Sequence, residues 1–276
     1  MTKIMEPRYF DIHSHVNFKD YYADLPQVLQ RMEDEGVLTI SVGVDKATSE
    51  EGVRFAETHE GFYATIGLHP TDTRTETFAG SEYKDLVRSP KTVAVGECGV
   101  DYFRLPAQAG IDGDPALEKK RQWREFEKQS EFATLNDKPL MIHCRPSKGS
   151  EDAYLDMLSF LEPRARENPK VRGNMHFFVG NLDTAKRFWN IGFTTSFTGV
   201  LTFTHDYDEV VQAAPMDMLM TETDSPFATP VPFRGKRNEP VYVKYVVSAI
   251  ARIRGEDEEA VRETVFKNAE RVFGLK

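Results

Sequence analysis

Residues 11–15 read Asp-Ile-His-Ser-His, directly after the apolar pair Tyr9-Phe10, and the fold turns on how that stretch is read. On a strand, side chains alternate between faces, so Asp11, His13 and His15 share one face. Consecutive members of such a row stand about 7 Å apart at Cα, close enough for two imidazoles to converge on one ion. In a helix, positions 13 and 15 diverge. A lone His-x-His also fits a solvated strand or turn, so the question is whether the rest of the chain supplies more ligands.

Outward from this stretch, short apolar runs recur at 9–12, 38–42, 63–66, 92–95, 140–142, 173–176, 193–195 and 218–221. These read as strands. Amphipathic helical stretches follow at 25–35, 49–59, 117–136, 153–161, 183–190 and 207–214. The first lies between Asp24 and Gly36, a cap residue at each end. Eight strand candidates alternating with helices predict a parallel sheet buried on both faces. Eight such units close into a (β/α)8 TIM barrel of about 250 residues. The 276-residue chain then reads as a single domain over 1–276. An open doubly wound sheet is the alternative. Two connections rich in Pro and Gly, 103–115 and 226–240, follow strands, which in a barrel puts them on the face where active sites sit.

A formal charge of −9 argues against broad affinity for nucleic acid or anionic membranes, yet permits an anionic substrate where the site carries its own cations. No apolar run approaches the roughly 20 residues of a membrane span. The start, MTKIMEPRYF, has no signal-peptide core. Two cysteines, Cys98 and Cys144, make no disulfide framework. The expectation is a soluble, reduced, cytoplasmic protein. No exposed apolar stripe stands out, so a monomer is expected.

The remaining acids and imidazoles decide the function class. Glu97 ends the fourth predicted strand, His143 the fifth and His176 the sixth, while Asp224 lies just past the eighth. With His13 and His15 on the first, these donors share the C-terminal ends of five strands, which in a barrel meet at one mouth. Singly, each has an ordinary structural explanation, such as a packed histidine or a turn-capping aspartate. Together, four imidazoles and two carboxylates suit Zn²⁺ or Mn²⁺, and other divalent ions less specifically. Six donors are too many for one catalytic ion with an open position. They suit two divalent ions (Mg, Mn or Zn), about 3.5–4 Å apart, that share a carboxylate.

DIHSH at 11–15, GLHP at 67–70, VGECGVDYF at 95–103, IHCR at 142–145, HFFVG at 176–180, SFTGVLTF at 196–203, ETDSPF at 222–227, RNEP at 237–240 and NAERVFGL at 268–275 resemble, in order, the TatD family of metal-dependent hydrolases and deoxyribonucleases. The resemblance implies an amidohydrolase-like barrel that hydrolyses phosphodiester bonds with divalent metal, often as an exonuclease on DNA, mainly on single strands or ends. A minority of the family is associated with D-aminoacyl-tRNA deacylation, which makes hydrolysis of an ester or amide bond the alternative. By position, the resemblance implies one metal site of His13, His15, Glu97 and Asp224, and a second of Glu97, His143 and His176, with Glu97 bridging. Val179, Cys98 and the segment PSKGSED depart from the family pattern, but none of them replaces a ligand.

Roles follow for the neighbours. Asp224 is the candidate to orient water and accept its proton. Glu222, two residues earlier, is expected to orient a ligand. His69 and Arg145 are expected to contact phosphate. The basic loop with Arg234, Lys236, Arg237 and Asn238 is a further substrate candidate, and the resemblance favours Arg237 and Asn238. Tyr102 and Phe103 offer a stacking surface for a base. Alternation sends Cys98 and Cys144 outward as packing residues, and His59 and His205 read as surface residues.

Overall fold

Strand and helix alternate from the first element onward. A computed structural model describes residues 7–106 and 112–275, so part of the 103–115 connection lies outside the described residues. The order is β1 (Tyr9–Ser14), α1 (Leu25–Glu35), β2 (Val37–Val42), α2 (Lys46–Thr58), β3 (Phe62–Ile66), β4 (Thr92–Asp101), α3 (Pro115–Leu135) and β5 (Leu140–Arg145). It continues with α4 (Asp152–Glu167), β6 (Gly173–His176), α5 (Leu182–Asn190), β7 (Thr194–Phe197), α6 (Asp208–Ala213), β8 (Leu219–Thr221), α7 (Val243–Arg254) and α8 (Glu258–Phe273). Between β3 and β4 the described helical structure is two short 3-10 turns.

All eight strands are parallel and pair in chain order, β1 to β8. The ring closes just beyond β8. Asp224 N donates to His13 O at 2.9 Å, His15 N donates to Ser225 O at 2.8 Å, and Ser14 and Ser225 form a parallel bridge. Beneath that seam, the buried Asp11 carboxylate accepts from Thr223 N at 2.8 Å and Thr223 Oγ1 at 2.5 Å. Asp11 therefore does not join the two histidines at the mouth. It ties β1 to the segment that carries Asp224.

The strands are apolar on both faces because both faces are covered. Phe10, Ile12, Ile40, Val42, Met141 and Met220 belong to one buried cluster. Cys98 and Cys144 belong to a second, the strand–helix layer, with Phe126, Met157 and Leu158. Both cysteines are buried, in keeping with packing roles.

Boundaries shift for local reasons. α2 begins at Lys46, ahead of the predicted 49, because Asp45 and Thr48 form a reciprocal capping box. β4 runs on to Asp101, past the predicted end at 95, through Gly96 and Gly99, which interrupt the apolar pattern. At Gly99 φ is +137°, and a Cβ would collide with the His143 carbonyl of β5. The sequence reading assigned no helix after 214, yet α7 and α8 close the outer layer. α7 buries Val246 and Ile250, and α8 buries Val261, Val265, Ala269 and Phe273. Asp257 caps α8 by accepting from Ala260 N at 3.0 Å.

Candidate metal centre

Glu97 is the hub of the mouth. It is buried, and its two carboxylate oxygens face different imidazoles. Oε2 lies 3.5 Å from His13 Nε2 and 3.9 Å from His15 Nε2. Oε1 lies 2.8 Å from His143 Nδ1 and 3.5 Å from Nε2 of both His69 and His176. Asp224 Oδ1 completes the first group, 3.7 Å from His13 Nε2 and 3.6 Å from His15 Nε2. A φ of +51° lifts Asp224 out of strand conformation, so its direction comes from a left-handed turn rather than from alternation.

The donor atoms themselves test whether a cation fits. His15 Nδ1 faces Val42 O at 3.1 Å, and a carbonyl only accepts, so the neutral ring carries its proton there. Its Nε2 lone pair then points at His13 Nε2, 3.3 Å away, and at the Asp224 and Glu97 oxygens. Acceptors converging on acceptors call for a positive charge between them. Acidic braces hold two further rings. Asp101 Oδ2 lies 3.1 Å from His143 Nε2, and Glu222 Oε1 lies 2.9 Å from His176 Nδ1. A carbonyl or carboxylate behind the ligating imidazole is the usual way to fix its orientation and raise its basicity. The residues present fit divalent metal.

Charges respond to this crowding. Burial alone would raise the Glu97 carboxyl, but the surrounding His69 and His13 rings and hydrogen bonds from His13 and His143 hold it well below the usual carboxylate range. Burial would lower His176, but Glu222, Glu97 and Asp224 lift it to about 9. Burial dominates at His69 and lowers it to about 3, so this ring is neutral.

His69 is close enough to Glu97 and His143 to be counted as a ligand by distance. Its proton argues for another role. Thr71 N donates to His69 Nδ1 at 3.2 Å, so the neutral ring keeps its hydrogen on Nε2, which faces the centre as a donor. A donor there suits an anionic oxygen of a substrate.

Glu222 is buried beside His176. Its carboxylate accepts from Phe177 N at 2.7 Å and from Ser196 Oγ at 2.8 Å, and so stands fixed behind His176. Sequence reasoning missed Asp101, because β4 was ended too early. It also missed a polar row on α3. Gln129 accepts from Leu68 N at 2.7 Å and donates to Leu68 O at 3.0 Å, next to His69. Gln122 does the same for Asp101, with 2.9 and 3.3 Å. The signal was a Gln–Gln pair seven residues apart on a buried helix face.

A cavity of about 1100 Å³ opens over the centre, with Glu97, His143, His176 and Asp224 at its floor and Arg145 and Arg234 in its wall. Arg237 and Asn238 are not part of it. Arg237 makes a bidentate pair with Asp24, 2.7 Å on each arm, and lies 3.2 Å from Glu239 Oε1. That pairing also takes Asp24 from its expected capping role at α1. Asn238 is fully buried, and its amide donates to Thr223 O at 2.9 Å and to Phe227 O at 2.5 Å. Both are corrections: the Asn238 amide and the two terminal nitrogens of Arg237 are engaged in holding the loop after β8. Tyr102 is a third. It is buried, donates to Asp156 Oδ2 at 2.8 Å and accepts from Trp123 Nε1 at 2.7 Å, so it offers no free face. Phe103 does line the cavity. His205 lies at the exposed surface, and His59 is half-buried against Phe55 at the end of α2.

A family model described as TatD related DNase matches residues 10–274. An uncharacterised metal-dependent hydrolase, YabD, of Bacillus subtilis strain 168 is 37% identical over 270 residues, covering 96% of this chain and 99% of its own. A protein of Pantoea vagans named 3'-5' ssDNA/RNA exonuclease TatD is 29% identical over 278 residues, covering 96% and 99%. Among solved structures, the TatD homologue YJJV of Escherichia coli K12 superposes with a TM-score of 0.85 at 24% identity, over 99% of this chain and all of the other. A dihydroorotase of Campylobacter jejuni shares the barrel more distantly, with a TM-score of 0.53.

Proposed function

Because the chain belongs to the TatD-related DNase family of metal-dependent hydrolases, we propose that it cleaves phosphodiester bonds of DNA, working inward from a single-stranded end. The observation that carries this reading is the Glu97 carboxylate, with one oxygen toward His13 and His15 and the other toward His143 and His176. That arrangement suits a carboxylate shared by two divalent ions. Relatives named 3'-5' ssDNA/RNA exonuclease support the substrate class.

His13, His15, Glu97 and Asp224 would hold one ion, and Glu97, His143 and His176 the other. Bound divalent metal supplies Lewis acidity and makes water nucleophilic near neutral pH. The chain does the rest. Asp224, beside both first-strand histidines, orients the attacking water and takes its proton. His69 Nε2–H and the Arg145 guanidinium hold phosphate oxygens in line for displacement. Glu222 and Asp101 keep His176 and His143 turned to the centre. The water oxygen bonds to phosphorus as the P–O bond to the neighbouring nucleoside breaks, the neighbour's oxygen gains a proton from solvent, and the terminal nucleotide leaves with the phosphate.

The test uses end-labelled single- and double-stranded DNA with Mg²⁺, Mn²⁺ or Zn²⁺, beside aminoacyl-tRNA as the ester alternative. Stepwise shortening of single strands, abolished by chelation and by Glu97→Ala or Asp224→Ala, is expected. Release of the amino acid from aminoacyl-tRNA with no cleavage of DNA would overturn the reading.

A further inference from the structure

Three phenylalanines are exposed among the described residues, Phe103, Phe203 and Phe227, and all three line the cavity over the metal centre. Most of the chain's other phenylalanines lie in its buried core. Exposed phenylalanine rings gathered at one mouth are a mark of a binding surface. Two of the three rings carry a guanidinium. Arg145 lies 4.1 Å from the Phe103 ring centroid, and Arg234 lies 3.9 Å from that of Phe203. Neither arginine has a carboxylate within ion-pair distance among the described residues, although ion pairs are common elsewhere on this acidic chain. Arg234 donates only to a carbonyl, Thr229 O, at 2.9 Å.

The two ring–guanidinium pairs come from different parts of the ring. Phe103 and Arg145 follow β4 and end β5, whereas Phe203 and Arg234 sit in the connections after β7 and β8. The metal-site donors Glu97, His143, His176 and Asp224 line the same cavity. A guanidinium on an aromatic ring keeps its edge free for two phosphate oxygens. The guanidinium covers one face of each ring, and a base would stack on the other.

We infer that Phe103–Arg145 and Phe203–Arg234 are two nucleotide clamps, each pairing a base-stacking ring with a phosphate-binding guanidinium, and that they make the enzyme select unpaired bases on both sides of the scissile phosphate. The inference rests on the phosphodiesterase reading and names the residues that set its substrate class. In a duplex, both faces of each base are covered by neighbours. In a single strand they can be splayed onto side chains, and such stacking tolerates any sequence. A cavity of about 1100 Å³ lies at the upper end of ligand-site volumes, roughly 300–1,000 Å³, and has room for more than one base.

Binding in the absence of metal separates this from catalysis. Fluorescence anisotropy with a labelled single-stranded oligonucleotide in EDTA is measured for wild type, Phe103→Ala, Phe203→Ala and Tyr22→Ala. Tyr22 is an exposed aromatic outside the cavity and serves as the control. Each mouth substitution is expected to weaken binding about 10-fold, the control not at all, and Phe203→Trp is expected to retain binding. An abasic strand of equal length should bind wild type more weakly than either alanine variant binds the intact strand, because it loses stacking at both rings. If the alanine variants bind and shorten single strands like wild type, or the abasic strand binds as well as the intact one, the clamps are overturned while the phosphodiesterase reading stands. If wild type cleaves no phosphodiester with any metal, the reading and the clamps fall together.

Discussion

The strand ends and the loop after β8 both carry residues of the right chemistry, but the strand ends turn theirs to the centre, whereas the loop divides: Asp224 and Arg234 line the cavity, and Arg237 and Asn238 do not. His13, His15, Glu97, His143 and His176 sit on or at the end of paired strands. The ladder fixes their backbone, and the barrel leaves their side chains one direction, toward the mouth. Arg237 and Asn238 sit in a loop. There the nearest partner decides, and Asp24, Glu239, Thr223 and Phe227 capture them. A charge on a strand end takes its direction from the ladder, whereas on a loop the nearest partner decides, and Arg234, with no carboxylate beside it among the described residues, stays at the cavity.

The sharpest way to break this contrast is at Glu97. Glu97→Ala removes the carboxylate that faces both imidazole groups, and its expected cost is about 10³-fold or more in hydrolysis rate with loss of bound metal. Metal content by elemental analysis and single-turnover rates check it. Substantial activity in this variant would mean that the strand-end donors do not act as one centre.

Next in size is Glu222→Gln. It keeps the shape but gives up the charge behind His176, and about 10–100-fold in metal affinity or rate is expected. Metal titration of the chelator-stripped protein reads it directly. An unchanged affinity would reduce Glu222 to a buried packing partner of Ser196 and Phe177.

Gln129→Ala probes how far the rigid scaffold reaches past the strands. Two buried backbone groups at Leu68 lose their partners, with an expected loss of about 1–3 kcal/mol in unfolding free energy. His69 loses its anchor as well, so KM for DNA should rise more than metal affinity falls. Equal movement of both would show a general loosening of the barrel instead.

Arg237→Ala is the smallest effect and the most discriminating about the loop. Its pair with Asp24 is partly solvent-exposed, so about 1 kcal/mol or less is expected, a shift of a few degrees in Tm. KM for single-stranded DNA should not change. A rise in KM without loss of stability would return Arg237 to the substrate path and erase the contrast.

His143 was legible because it directly follows an apolar strand signal, so its position on the strand gives its direction. Glu97 instead follows Gly96 and a register shift in β4, so that its residue type was legible but its direction was not. The order of motifs carried the family. Asp101 was hidden because Gly96 and Gly99 break the apolar run, although those glycines are what let β4 lie close against β5. α7 and α8 were overlooked, although Gly255 and Asp257 between them are ordinary stop and start signals.

The sequence by itself determined the alternation of strands and helices, the set of donors and the kind of chemistry they support, because these depend on periodicity and residue type. Tertiary structure alone decided that Asp11 braces the β1–β8 seam, that His69 presents a proton rather than a lone pair, and that Arg237 turns away while Arg145 and Arg234 lie on aromatic rings. Those outcomes depend on which partner lies within about 3 Å for a hydrogen bond or 6 Å for a ring, and closing the barrel brings together residues more than two hundred positions apart.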